Sequence, residues 1–98
     1  MRLRYTERAI ADLEEIHAYI ARDDPSAALA VGNRLKSAIE LLADFPNLGR
    51  PSRIRGARIL LAAGTPYAIY YGVNTRARAV IIHHIRHGRR RPPRRNDL

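Results

Sequence analysis

The chain has 98 residues, of which 46% are hydrophobic, carries a formal net charge of +9 and contains no cysteine. This length allows one small core, and the lack of cysteine excludes a disulfide framework and thiolate chemistry. The sequence contains neither an apolar run of membrane-spanning length nor the apolar core of a signal peptide. We therefore expect a cytoplasmic protein that does not associate with membranes.

The charge is divided unevenly along the chain. Residues 1–44 carry six basic and eight acidic side chains, a net −2, whereas residues 45–98 carry twelve basic and one acidic, a net +11. Every basic residue except Lys36 is an arginine, whose planar guanidinium suits phosphate, carboxylate and aromatic contacts. The second half therefore predicts an acidic partner: a nucleic acid, a ribonucleoprotein or an acidic protein.

The chain begins with the pattern of a short strand and an amphipathic helix. Residues 2–5 alternate between polar and apolar, as in a strand with one buried face. Thr6 offers an N-cap to a helix over residues 7–22, and Asp12 falls on the polar face of that helix. The apolar stripe of this helix consists of Ile10, Leu13, Ile16, His17 and Ile20.

A second helix follows after a tight break. Asp24 predicts its N-cap and Pro25 its first residue, where the missing N–H of proline costs nothing. Pro46 ends the helix, and we expect Phe45 beside it to anchor the connection in the core. Two amphipathic helices joined by so short a turn predict an antiparallel hairpin.

The second half of the chain predicts a sheet. Residues 47–51 have the composition of a turn, and strands are indicated over residues 58–62, 67–73 and 76–87. Because short turns join these three strands, they must be antiparallel. The predicted fold class is α+β: an antiparallel helical hairpin packed on one face of a small antiparallel sheet, in the order β-α-α-β-β-β.

A run of basic residues follows the last strand. Gly88 interrupts the strand, and arginines crowd the positions beyond it. We expect residues 1–91 to form a single domain and residues 92–98 a mobile basic tail. We define the C-terminal basic patch as Arg86, His87, Arg89, Arg90 and Arg91, and we expect it, together with Arg58, to bind the target.

The tyrosines and histidines of the predicted strands are candidate site residues. Alternation along the strand places Tyr67 and Tyr71 on the core face and Tyr70 on the open face. We expect no metal site, because His83 and His84 point to opposite faces of a strand and no cysteine or carboxylate lies near them in sequence. No cofactor motif occurs. In the cationic patch His87 tends to stay neutral, and so could act as a base or a hydrogen-bond acceptor.

Five short motifs occur along the chain. They are Tyr5-Thr6-x-x-Ala9-x-x-Asp12-Leu13-x-x-Ile16, Pro46-x-x-Gly49-Arg50, Gly56-x-Arg58, Pro66-Tyr67-x-Ile69-x-Tyr71 and Ile85-x-His87-Gly88-Arg89-Arg90. In this order and at these spacings they resemble the ParE/RelE superfamily of toxins from toxin–antitoxin systems. The resemblance covers residues 3–91 and implies the same helical hairpin on a sheet.

The resemblance implies one of two activities. RelE-like members cut mRNA on the ribosome with basic residues and often a C-terminal tyrosine, whereas ParE-like members poison DNA gyrase by binding. Here Ala68 stands where the RelE-type strand carries an arginine, and no tyrosine follows the basic patch. We therefore favour a non-enzymatic, ParE-like gyrase poison acting in plasmid stabilisation. If the chain is instead a ribonuclease, its catalytic residues are Arg58, His87, Arg89 and Arg90; a non-toxic nucleic-acid-binding module is the third alternative.

The resemblance also implies partners. A cognate ParD-like antitoxin is expected, forming a hetero-oligomer with the toxin, and charge complementarity predicts an acidic segment in it. The predicted antitoxin-binding residues lie on the first helix: Leu13, Ile16, Tyr19 and Ile20. The target is expected to be DNA gyrase or the gyrase–DNA complex.

Overall fold

A computed structural model describes residues 1–89, 93–95 and 98 of the chain. Two helices, α1 and α2, pack against one face of a five-stranded sheet in the order β1-β5-β4-β3-β2. In chain order the elements are β1 (Arg2–Tyr5), α1 (Glu7–Ala21), α2 (Pro25–Asp44), β2 (Arg50–Pro51), β3 (Arg58–Leu61), β4 (Tyr67–Asn74) and β5 (Ala79–His87).

The predicted α+β class and the helical hairpin are confirmed, with two corrections to the sheet. β1 pairs with β5 in parallel, so the sheet is mixed and not antiparallel throughout. The rule from short turns governs only consecutive strands, and the whole helical hairpin separates β1 from the rest of the sheet. The second correction is β2, a two-residue strand that pairs with β3 within the segment predicted as a turn.

The predicted helix caps are present. Thr6 Oγ1 accepts a hydrogen bond from Ala9 N at 3.0 Å and donates one to His83 O at 2.8 Å. Asp24 accepts from Ala27 N at 3.1 Å, and Pro25 occupies the first turn of α2. The Thr6 hydroxyl therefore caps the N-terminus of α1 and also links this end of the helix to β5.

The core lies between the helical hairpin and the inner face of β4 and β5. Leu35, Ile39 and Leu42 of α2 meet the strand side chains there, in the spacing of a helix stripe on a sheet. Its fully buried strand members are Ile69, Tyr71, Val80 and Ile82.

A polar network fixes the connection between α2 and the sheet. The Tyr71 hydroxyl accepts a hydrogen bond from Gly49 N at 2.9 Å and donates one to Pro46 O at 2.8 Å. Arg58, opposite Tyr71 on β3, donates to Gly49 O at 2.8 Å and to Asn47 O at 3.2 Å. A Cβ at position 49 would lie 2.6 Å from the Ile59 carbonyl oxygen, so only glycine fits. We call these residues the Tyr71 network.

The outer face of the sheet is covered as well. Tyr70, predicted to lie on an open face, is only 7% exposed, so that prediction is wrong. The 52–57 loop approaches this face, where Gly56 O would lie 3.4 Å from a Cβ at position 72. His83 lies beside Gly72, and burial lowers its pKa, which keeps the ring neutral.

Removing the Tyr71 hydroxyl should destabilise the fold, because it leaves the buried Gly49 N–H without a partner. We expect Tyr71→Phe to lower the free energy of unfolding by about 1–3 kcal/mol, measured by urea denaturation of the purified chain. Tyr70→Phe is the matched control, since no hydrogen bond of the Tyr70 hydroxyl occurs among the described residues. Equal stability of the two variants would contradict a structural role for the Tyr71 network.

Candidate functional site

A cleft of about 450 Å³ opens between α1 and the end of β5. We call it the α1–β5 cleft. Its walls combine aromatic, acidic and basic side chains with a buried carboxylate–histidine pair. The lining residues are Arg8, Asp12, Glu15, Ile16, Tyr19, Tyr67, His84, Ile85, Arg86 and His87.

The cleft exists because β5 is longer than its parallel neighbour. β1 pairs with β5 only as far as Tyr5 opposite Ile82, after which the chain turns at Thr6 into α1. On the side of β1, residues 83–87 of β5 therefore have α1 and not a strand as their neighbour, while residues 84–87 stay paired with β4 on the other side. An edge of this kind needs partners for its backbone N–H groups.

Asp12 supplies such a partner. Its Oδ2 accepts a hydrogen bond from Ile85 N at 2.9 Å and also contacts His84 Nδ1, while Oδ1 accepts from Arg8 Nε at 3.2 Å. Asp12 is 6% exposed, so its predicted place on a solvated face is wrong. We call Asp12, His84, Arg8 and the Ile85 N–H the Asp12 network; it joins α1 to the strand that ends in the basic patch.

His87 is held by two contacts at the mouth of the cleft. Its Nδ1 accepts a hydrogen bond from Arg89 N at 3.2 Å, and its ring stands edge-on to Tyr67 at a centroid distance of 5.7 Å. With Nδ1 accepting, the proton of the neutral ring is on Nε2. The accessible nitrogen is then a hydrogen-bond donor and not a base.

The structure brings together part of the predicted target-binding set. Arg86 and His87 line the cleft, and Arg89 follows as an exposed residue after a turn in which Gly88 N donates to Pro66 O at 2.7 Å. The predicted residues Arg90 and Arg91 lie outside the described part of the chain, as do three positions of the predicted tail.

Arg58 lies apart from the basic patch. Arg58 is opposite Tyr71, whereas His87 is opposite Tyr67, four residues earlier in β4. The cross-strand pairs Arg58–Tyr71 and His87–Tyr67 are therefore about 13 Å apart along β4. The Arg58 guanidinium is already engaged in the Tyr71 network. Its roles as a target contact and as a catalytic cation stay predictions.

The predicted antitoxin-binding residues fall into two groups. Tyr19 is 69% exposed and lines the α1–β5 cleft together with Ile16. Leu13 and Ile20 are half-buried and pack against the core. Ile16 and Tyr19 thus share one cleft with Arg86 and His87, which the sequence assigned to target binding.

A second groove, which no sequence pattern had predicted, lies between α2 and β3. It has a volume of about 470 Å³, and the apolar side chains of Leu41, Leu48 and Leu61 are exposed along it. Phe45, predicted to anchor the core, is 58% exposed at the end of α2. The position of Leu41 could have indicated this groove, because Leu41 is apolar but lies outside the buried stripe of α2.

Within residues 1–89, 93–95 and 98, no group of three His, Cys, Asp or Glu side chains is placed to hold a metal ion. None of the described helices is both long and apolar enough to cross a bilayer. Hydrogen bonding, stacking and charge are the interactions that the cleft offers.

Removing the negative charge of Asp12 should lower the stability of the fold. Asp12→Asn keeps the size of the side chain but weakens the hydrogen bonds to Ile85 N and His84. We expect the free energy of unfolding to fall by about 1.5–3 kcal/mol, the usual range for hydrogen bonds to charged groups, with faster amide exchange at Ile85. The control Arg8→Ala removes only the exposed pair and should cost about 0.5 kcal/mol or less. Wild-type stability of Asp12→Asn would refute the role given to this carboxylate.

Known proteins resemble this chain over most of its length. Residues 3–92 match the family model for the ParE toxin of the type II toxin–antitoxin system parDE. The candidate toxin Y4kP of Sinorhizobium fredii is 42% identical over 83 residues, covering 85% of this chain and 86% of that protein. Toxin RelE2 of Caulobacter vibrioides is 38% identical over 69 residues, covering 70% of this chain and 76% of the relative.

Solved structures show the same arrangement. A chain of the chromosomal ParDE system from P. aeruginosa matches with a TM-score of 0.76 and 27% identity over 89% of this chain and 95% of its own length. The RelBE2 complex of Mycobacterium tuberculosis (TM-score 0.60, 22% identity, 88% of each chain) and isolated E. coli RelE (0.66, 16%, 92% and 86%) share the fold. The chain belongs to the ParE toxin family of type II toxin–antitoxin systems, within the ParE/RelE superfamily.

Proposed function

We propose that this toxin inhibits DNA gyrase by binding to it or to its DNA complex through the C-terminal basic patch, in the cytoplasm. The observation that carries the proposal is the hydrogen bond from Arg89 N to His87 Nδ1. Because Nδ1 of His87 accepts this hydrogen bond, the proton of the neutral ring is on Nε2. The described part of the patch therefore presents arginine donors beside a histidine that is also a donor. Such a surface is suited to binding an acidic partner and not to abstracting a proton.

The position of the patch supports binding. β5 pairs with β4 as far as His87, and on the other side, beyond the end of β1, the Asp12 network holds its final residues. Arg86 lies on this rigid element and Arg89 follows two residues after its end, which lowers the entropy cost of ordering these two side chains on a target. In this mechanism the toxin stabilises a gyrase–DNA cleavage complex and performs no chemistry itself.

A ribosome-dependent ribonuclease is the second candidate, and the likeness to toxin RelE2 of C. vibrioides favours it. Such a reaction needs a base for the 2′-hydroxyl and cations for the phosphate in the transition state. Of the predicted cations Arg58, Arg89 and Arg90, Arg89 lies two residues after His87 and would provide one of the charges. His87 would have to break its bond with Arg89 N or change tautomer to provide the base, and this requirement makes the second candidate the weaker one.

The cognate antitoxin is proposed to occupy the α1–β5 cleft. The ParDE and RelBE2 structures that this chain resembles come from toxin–antitoxin systems. Ile16 and Tyr19 offer apolar and aromatic contacts, while Arg86 and Arg89 offer charges to an acidic segment. An antitoxin bound there would cover part of the target-binding surface, so it would neutralise the toxin by occlusion within a hetero-oligomer.

The role of the patch can be tested with one charge removed at a time. Arg89→Gln should raise the toxin concentration needed for half-maximal gyrase–DNA cleavage complex about tenfold, which corresponds to ~1.4 kcal/mol of lost contact. Arg76→Gln is the matched control, because this exposed arginine lies in the turn at the opposite end of the β4–β5 hairpin. The measurement is a supercoiled-plasmid cleavage assay with purified gyrase.

The outcomes separate the candidate functions. Equal effects of Arg89→Gln and Arg76→Gln would reject the basic patch as the contact surface. Cuts in translated mRNA, without gyrase cleavage complexes, would establish the ribonuclease. Salt-sensitive nucleic-acid binding without toxicity on expression would indicate the non-toxic binding module.

A further inference from the structure

We propose that the α1–β5 cleft binds one unstacked base of a single-stranded nucleic acid. This inference goes beyond gyrase inhibition, because it concerns a binding activity of the purified chain that needs neither gyrase nor ribosome. It rests on three features of the cleft: a buried nitrogen without a partner, aromatic walls and a basic rim.

The buried nitrogen is Nε2 of His84. The ring is 3% exposed and its Nδ1 faces the carboxylate of Asp12, so the Nδ1 proton is directed to that carboxylate. Nε2 has no hydrogen-bond partner among the described residues. Buried polar atoms are nearly always satisfied in native proteins. In the neutral ring Nε2 is an acceptor, and the amino groups and ring N–H groups of nucleobases are donors of the kind that it lacks.

The walls are suited to a flat ligand. Tyr19 is mostly exposed on α1, and His87 contributes a second ring from the end of β5, supported edge-on by the buried Tyr67. A base stacks on such rings whatever its identity, because every base has a π-face. The cleft, of about 450 Å³, lies within the size range of small-ligand sites and can take one nucleotide.

The rim carries the charges that a nucleotide requires. Arg8 and Arg86 line the cleft and Arg89 follows on the same strand end, so the phosphates on either side of the base would meet guanidinium groups. Glu15 lies one helical turn from Tyr19 on α1. Its carboxylate is an acceptor for base amino groups and repels phosphate, which favours entry of the base and not of the backbone.

The test compares the affinity of the purified chain for two DNA strands, one with bases and one without. Fluorescence anisotropy would measure binding of the purified chain to an eight-nucleotide oligodeoxyadenosine and to an abasic strand of the same length and charge. We expect the adenine strand to bind at least about fivefold more tightly, the factor that one stacked base contributes. The same measurement with an oligoriboadenosine of eight nucleotides shows whether the cleft prefers DNA or RNA. Tighter binding of either adenine strand than of the abasic strand supports the proposed base site.

Matched tyrosine variants locate the base. Tyr19→Leu should remove the preference for the adenine strand while leaving binding of the abasic strand unchanged. Tyr5→Leu changes another exposed tyrosine outside the cleft and should keep the preference. Tyr19→Phe, which retains the ring, should also keep it.

Two results would overturn the inference. One is equal affinity for the adenine and abasic strands, which would mean that the arginines bind phosphate alone and would leave a peptide as the occupant of the cleft. The other is a preference that Tyr19→Leu does not reduce. Neither result would affect the gyrase cleavage assay, so failure of this inference is distinguishable from failure of the proposed function.

Discussion

The hydrogen bond from Ile85 N to Asp12 is the contact on which the site depends. β5 continues beyond the end of β1, and the edge that it exposes there needs a partner. A carboxylate on α1 provides one, and the same carboxylate also meets His84 and Arg8. This single side chain sets the distance between α1 and the strand end, and with it the width of the α1–β5 cleft.

Local patterns were sufficient to predict most of the fold. The caps at Thr6 and Asp24, the apolar stripes of the helices and the short turns between β3, β4 and β5 each depend on residues close together in sequence. Parallel pairing of β1 could not be predicted in this way, since the direction of a strand joined through two helices is not fixed by any turn. The same holds for β2, whose two residues are too few to form a pattern.

The site was only partly predictable. The basic residues at the end of β5 were evident from charge alone, but the burial of Asp12 depends on a partner 72 residues further along the chain. Asp12 occupies a polar position on an amphipathic helix, and nothing nearby in sequence distinguishes it from a solvated carboxylate. Tyr70 and Phe45 were misplaced for a related reason: what covers the outer face of the sheet and the end of α2 is decided by tertiary contacts.

The cleft combines residues for which the sequence proposed two separate roles. Because Ile16 and Tyr19 lie beside Arg86 and His87, neutralisation by an antitoxin and attack on a target can use one surface. The central claim is that the toxin acts by occupying its target, and the stoichiometry of inhibition tests it most directly. Titrating purified toxin against gyrase and plasmid should give no more than about one stabilised cleavage complex per toxin molecule. Many mRNA cuts per toxin molecule on translating ribosomes, with no gyrase complex, would contradict the account.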